Sequence, residues 1–185
     1  MDFSRFCITG LPRSRTAWLA ALMCAQSVET FHEYPPFFDT LADLGAWLMA
    51  GTVDDPHGYV DGFAIIHHAP LVSTYFRDNP IVIIQRDVAE VRRSWEAWEG
   101  PISDEIFANV IARSKKFAIE NAHKPNVMVV KYADLDSFPV IDSIVRHCTG
   151  RPLKFRTWQL FHHLKIELHR EKTRPMPATL RRSHA

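Results

Sequence analysis

The sequence predicts an α/β protein, a three-layer sandwich in which a central parallel sheet lies between helical layers. Three observations carry that expectation. Short apolar, β-type runs alternate with helical spacings along the chain, as crossover connections between parallel strands require. The run Pro80–Gln85, PIVIIQ, is continuous and β-branched, the pattern of a strand buried on both faces. The stretch Phe6–Met23, FCITGLPRSRTAWLAALM, passes from an apolar strand through a tight loop straight into an apolar helix.

Taken in order, Phe3–Thr9 reads as the first strand and Thr16–Gln26 as an Ala- and Leu-rich helix. Val28–His32 is a short second strand, closed by Glu33-Tyr34-Pro35-Pro36, where the prolines force an extended turn. Phe38–Ala50 has helical spacing at Leu41, Leu44, Trp47 and Leu48, with Gly51 as its stop. Phe63–His67 reads as the third strand, ended by Pro70, and Leu71–Arg77 as a short helix. After PIVIIQ, Asp87 is suited to cap a helix whose apolar stripe is Val88, Val91, Trp95 and Trp98. Asp104–Ala122 is a second long helix, Asn126–Lys131 a strand, and Asp134–His147 and Phe155–His169 helices. Residues 1–185 form one domain, with Arg174–Ala185, rich in Pro and Arg, as a loosely ordered tail.

Composition narrows the partners. The chain is 46% hydrophobic and 23% charged, with a formal net charge of +1. A near-neutral chain is not built to coat nucleic acid or an anionic membrane, so any anion site is local. The three cysteines are widely spaced, without a Cys-x-x-Cys pair, which argues against a disulfide framework or zinc site and for a reducing compartment. No apolar run reaches the length of a membrane span. A cytoplasmic protein is expected, and the oligomeric state, homo-oligomer included, is left open.

The loop Gly10-Leu11-Pro12-Arg13-Ser14-Arg15-Thr16 has the layout of a phosphate cradle, in which backbone N–H groups and the helix dipole face an anion. It is not the standard triphosphate loop. With Thr16 aligned to the Ser/Thr of Gly-x-x-x-x-Gly-Lys-Ser/Thr, Thr9 stands at the first Gly, Ser14 at the second and Arg15 at the Lys.

In Pro12-Arg13-Ser14-Arg15-Thr16-Ala17-Trp18 the chain resembles the sulfotransferases that use 3′-phosphoadenosine 5′-phosphosulfate (PAPS), bacterial types in particular. Their first motif is Pro-Lys/Arg-Ser-Gly-Thr-Thr-Trp. Pro12, Arg13, Ser14, Thr16 and Trp18 match it, whereas Arg15 replaces the Gly and Ala17 the second Thr. Two later matches follow in order. Arg86 directly follows PIVIIQ and Ser94 comes eight positions on, the pattern with which the family binds the 3′-phosphate. Tyr132-Ala133-Asp134-Leu135 resembles the family's Tyr-Glu-Asp-Leu, whose aromatic ring lies near adenine.

The resemblance implies a P-loop nucleotide-kinase-like fold and transfer of a sulfuryl group from PAPS, as co-substrate and without a metal, to a hydroxyl or amine acceptor. That acceptor is a small molecule or a carbohydrate. Pro12, Arg13, Ser14, Arg15, Thr16, Ala17, Trp18, Arg86, Ser94 and Tyr132 are the expected cofactor-binding residues. Arg13 is also placed to meet charge on the leaving phosphate. Two bases are open: Glu33, resembling the glutamate of carbohydrate and bacterial branches, and His68 in His-Ala-Pro, resembling the base of the cytosolic small-molecule branch. A histidine, with a reference pKa of about 6.5, is naturally poised, while a glutamate near 4.3 needs raising by burial. Two other functions are compatible with such a loop: a P-loop kinase of small molecules or nucleotides, and a nucleotide-binding module without catalysis.

Overall fold

The computed structural model describes residues 1–33, 38, 40–62, 64 and 69–163. Five strands, β1 (Arg5–Gly10), β2 (Glu29–His32), β3 (His57–Asp61), β4 (Ile81–Gln85) and β5 (Val127–Lys131), form one sheet in the order β2-β3-β1-β4-β5. Every pairing is parallel. The helices are α1 (Thr16–Ala25), α2 (Leu41–Met49), α3 (Ala69–Tyr75), α4 (Val88–Glu99), α5 (Asp104–Asn121), α6 (Phe138–Thr149) and α7 (Phe155–His163).

Alternation along the strands divides the core into two layers. Phe6, Ile8, Val60, Val82 and Ile84 face α1, α6 and α7 and pack with Leu19, Leu22, Ile141, Ile144 and Phe161. Cys7, Tyr59, Ile81 and Ile83 face the other way, against Leu44 and Leu48 of α2, Val72 of α3, Val91 of α4 and Phe107 and Ile111 of α5. The helical starts follow side-chain chemistry. Asp87 accepts from the Glu90 N–H at 3.0 Å to cap α4, Ser103 accepts from Ile106 at 3.3 Å to cap α5, and Thr40 forms a reciprocal capping box with Asp43 on α2.

The third strand is not the apolar run expected for it. It is His57–Asp61, HGYVD, and of Phe63–His67 the described part, Ala64, is helical. Pairing helps this polar strand to be buried, although His57 Nδ1 has no hydrogen-bond partner among the described residues. His57 Nε2 meets Glu29 Oε2 across the strand pair at 3.1 Å, and the Tyr59 hydroxyl donates to Asp61 Oδ2 at 2.6 Å. The helix expected over Asp134–His147 is also divided. Tyr132–Asp136 forms a 3₁₀ turn, and α6 starts afresh at Phe138 with Pro139 in its first turn, where a missing N–H costs nothing. The expected tail Arg174–Ala185 lies outside the described residues.

This topology positions the site. β1 is central, with β3 on one side and β4 on the other. The chain therefore leaves β1 at the point where the strand order reverses, where open α/β sheets form a crevice beyond the strands' carboxyl ends.

Candidate functional site

Two glycines let the loop after β1 sit close to its neighbours. A Cβ on Gly10 would lie 2.5 Å from the Ile84 carbonyl oxygen of β4, and one on Gly62 would lie 3.2 Å from Pro12 Cα. Within the loop, Arg13 (φ 66°) and Arg15 (φ 59°) are left-handed and flank Ser14, which is not. Such alternation of hand gathers successive N–H groups into an anion-binding concavity. For an L-residue other than Gly, Asn or Asp, each left-handed position costs about 1–2 kcal/mol. Ser14 is fully buried, and its hydroxyl has no hydrogen-bond partner among the described residues. An orphaned buried hydroxyl in a loop of this shape fits a phosphate-binding role, because anion oxygens are the acceptors it lacks.

Long-range contacts join this loop to the carboxyl ends of β4 and β5. Arg13 Nε lies 3.4 Å from Ser94 Oγ of α4, and its guanidinium carbon is 4.4 Å from the Trp98 ring centroid. Arg86, just past β4, donates from Nη1 to the Arg13 carbonyl. It also pairs with Glu90 at 3.5 Å and stacks on Tyr132, 4.1 Å from the ring centroid. Arg15 Nη1 lies 2.6 Å from Asp136 Oδ1, with its guanidinium carbon 5.3 Å from the same Tyr132 ring. Burial works against the Arg15 charge, but the bond to Asp136 and the nearby Tyr132 outweigh it, so its pKa lies above the usual arginine value. Gln85, Arg86, Asp87, Glu90, Lys131, Tyr132 and Ala133 line an open cleft at this edge.

The other flank of the loop meets β2. Thr16 Oγ1 and His32 Nε2 are 3.1 Å apart in a hydrogen bond, and the same nitrogen is 3.9 Å from Glu33 Oε1. Glu33 is itself left-handed, at φ 61°. On β3, the carboxylate of Asp61 is buried beside the loop, and strand register sets it next to Thr9.

Of the residues singled out from sequence, Arg13, Arg86, Ser94, Tyr132 and Arg15 therefore converge, and Thr16 connects through His32 to Glu33. Pro12 and Ser14 are built into the loop, and Ala17 is half-buried on α1. Trp18 turns toward α7, with its ring edge-on to Phe161 at 6.1 Å. His68 lies outside the described residues. Four residues of the site were not anticipated: His32, Asp61, Trp98 as a partner of Arg13, and Asp136. His32 adjoins Glu33 at a strand end, and Asp136 follows Tyr132 by one helical turn, so both had a local signal. Trp98 reads as one more apolar-stripe residue, yet it is 45% exposed.

No protein-family model matches the sequence, and no curated protein matches it. Solved structures do. Mouse sulfotransferase SULT7A1 complexed with PAP superimposes with a TM-score of 0.60 at 11% identity, over 88% of this chain and 64% of that one. This chain thus spans less than two thirds of that protein's length. Chaetomium thermophilum Kti12 in complex with ADP-AlF3 gives 0.51 at 15% identity, over 79% of this chain and all of that one. A sulfotransferase from Alicyclobacillus acidocaldarius gives 0.49 at 14% identity, covering 87% and 92%. The shared feature is the α/β, P-loop-like fold.

Proposed function

We propose that this protein transfers the sulfuryl group of PAPS to a hydroxyl or amine acceptor. The observation that carries the reading is the linked set Arg13, Ser94 and Arg86. The loop arginine meets the α4 serine at 3.4 Å, and the arginine just past β4 binds the loop backbone. One cation at the loop and another at the end of β4 suit a nucleotide with phosphates on both its 5′ and 3′ positions.

PAPS supplies the activated sulfuryl group; the residues supply position and charge. The left-handed turns at Arg13 and Arg15, with the Ser14 hydroxyl, hold the 5′-phosphate end. Arg86 and Ser94 hold the 3′-phosphate, since a guanidinium offers paired donors to phosphate oxygens. Arg13 balances charge on the oxygen bridging sulfur and phosphorus as its bond to sulfur breaks, the acceptor's bond to sulfur forms, and adenosine 3′,5′-bisphosphate leaves. Glu33 or His68 takes the acceptor proton. Contact of Glu33 with His32, and of His32 with Thr16 of the loop, supports Glu33.

The test is transfer of labelled sulfuryl from PAPS to a panel of phenols, sugars and amines. Turnover in the wild type with a loss of about 100-fold or more in Arg13→Ala is expected, the scale at which a charge-stabilising donor contributes. Undiminished transfer by that variant removes the loop's assigned role. A second reading, a P-loop kinase, draws on the buried carboxylate of Asp61 beside the loop. ATP-dependent phosphorylation of acceptors with no sulfuryl transfer would establish it.

A further inference from the structure

Arg15 occupies a backbone conformation that glycine adopts freely and arginine resists, at φ 59° and ψ 24°. Its side chain crosses from the loop before α1 to the turn after β5. There one ring, Tyr132, gathers two guanidiniums, Arg86 at 4.1 Å and Arg15 at 5.3 Å. Arg86 and Tyr132 are also walls of the cleft at the ends of β4 and β5, to which Lys131 adds a further positive charge.

Two arginines drawn to one ring repel each other, and the protein offsets this with carboxylates. Glu90 pairs with Arg86 and Asp136 with Arg15. The Asp136 carboxylate is 66% exposed. An ion pair so exposed to water is weak. A phosphate dianion brings more charge and more acceptor oxygens to the same guanidinium.

We propose that Arg15 determines specificity for the nucleotide: on binding it leaves Asp136 and joins Arg86 on the 3′-phosphate, and Asp136 is the internal competitor it leaves. The proposal rests on the nucleotide reading given above and adds to it a third cation, supplied by the loop.

The experiment is calorimetric titration of wild type, Arg15→Gly and Asp136→Asn with adenosine 3′,5′-bisphosphate and with AMP, at fixed ionic strength. Unfolding midpoints are recorded alongside. Glycine suits the backbone at position 15, and Arg15→Asn, which tolerates the same φ, serves as the second variant. The two substitutions are expected to act in opposite directions. Loss of Arg15 weakens the bisphosphate by about tenfold and AMP by less than about threefold, whereas Asp136→Asn tightens the bisphosphate by about threefold. A merely structural latch would make both variants weaker binders with lower midpoints. Weakening by Asp136→Asn, or bisphosphate binding unchanged in Arg15→Gly and Arg15→Asn, overturns the proposal and leaves the nucleotide reading intact. A wild type that binds AMP as tightly as the bisphosphate overturns both.

Discussion

Arg86 holds the Arg13 carbonyl, the Glu90 carboxylate and the face of Tyr132 at once. Its position is therefore set before any ligand arrives, and little side-chain entropy is left to lose on binding. Arg86→Ala should weaken adenosine 3′,5′-bisphosphate by roughly 10- to 100-fold, the value of one or two charge-assisted hydrogen bonds, and AMP by only about threefold. Equal losses for both nucleotides would remove the 3′-phosphate assignment. Arg86 and Ser94 were singled out through the sulfotransferase resemblance, and in the structure both contact Arg13 of the loop. The partners of Arg15 and Thr16 were not. Asp136 lies 121 residues from Arg15 in the chain, and His32 reaches Thr16 only because β2 folds back beside α1. Each lies close to a residue that the sequence did mark, Tyr132 or Glu33, but the long-range pairing itself leaves no local pattern.

At the scale of elements, the strand–loop–helix unit of β1 and α1 depends on Gly10. Gly10→Ala places a Cβ against backbone of β4, which cannot give way as a side-chain end can. It should destabilise the fold by about 1–3 kcal/mol, measured by chemical denaturation, and weaken ligand binding with it. β4, α4 and α5 could be read from sequence because burial and capping agree with local composition. β3 could not, because HGYVD is buried through pairs with Glu29 and within the strand itself. Packing of α6 brings a pH dependence. His147 Nε2 lies 3.1 Å from the Asn126 carbonyl, and burial holds its pKa below the usual 6.5, against the opposing effect of backbone carbonyls. The unfolded chain takes up that proton first, so stability should decline as pH falls below about 6.5 and level off below the folded-state pKa. His147→Gln should flatten this slope in urea denaturation measured between neutral and mildly acidic pH. An unchanged slope would assign the acid sensitivity to other groups.

For the whole molecule, the order β2-β3-β1-β4-β5 places the loop at the reversal point of the sheet. The groups that meet there come from β1, β4, α4 and the turn after β5. Alternating strands and helices made the layered architecture legible, and a crevice at the carboxyl edge follows from it. The acceptor is not legible, because Tyr34–Gly62 and the C-terminal third, the regions expected from sequence to line its pocket, carry aromatics but no recognisable code. Among the described residues, no helix is long and apolar enough to cross a membrane. The central claim is that this edge binds a nucleotide at both its phosphates. Thermal unfolding in saturating adenosine 3′,5′-bisphosphate, AMP or ATP–Mg tests it directly. At a hundredfold excess over Kd, the bisphosphate should add about 2.7 kcal/mol and raise the midpoint by roughly 5–10 °C, well above the effect of the other two at the same concentration. Stabilisation by ATP–Mg equal to or greater than that by the bisphosphate would contradict the account.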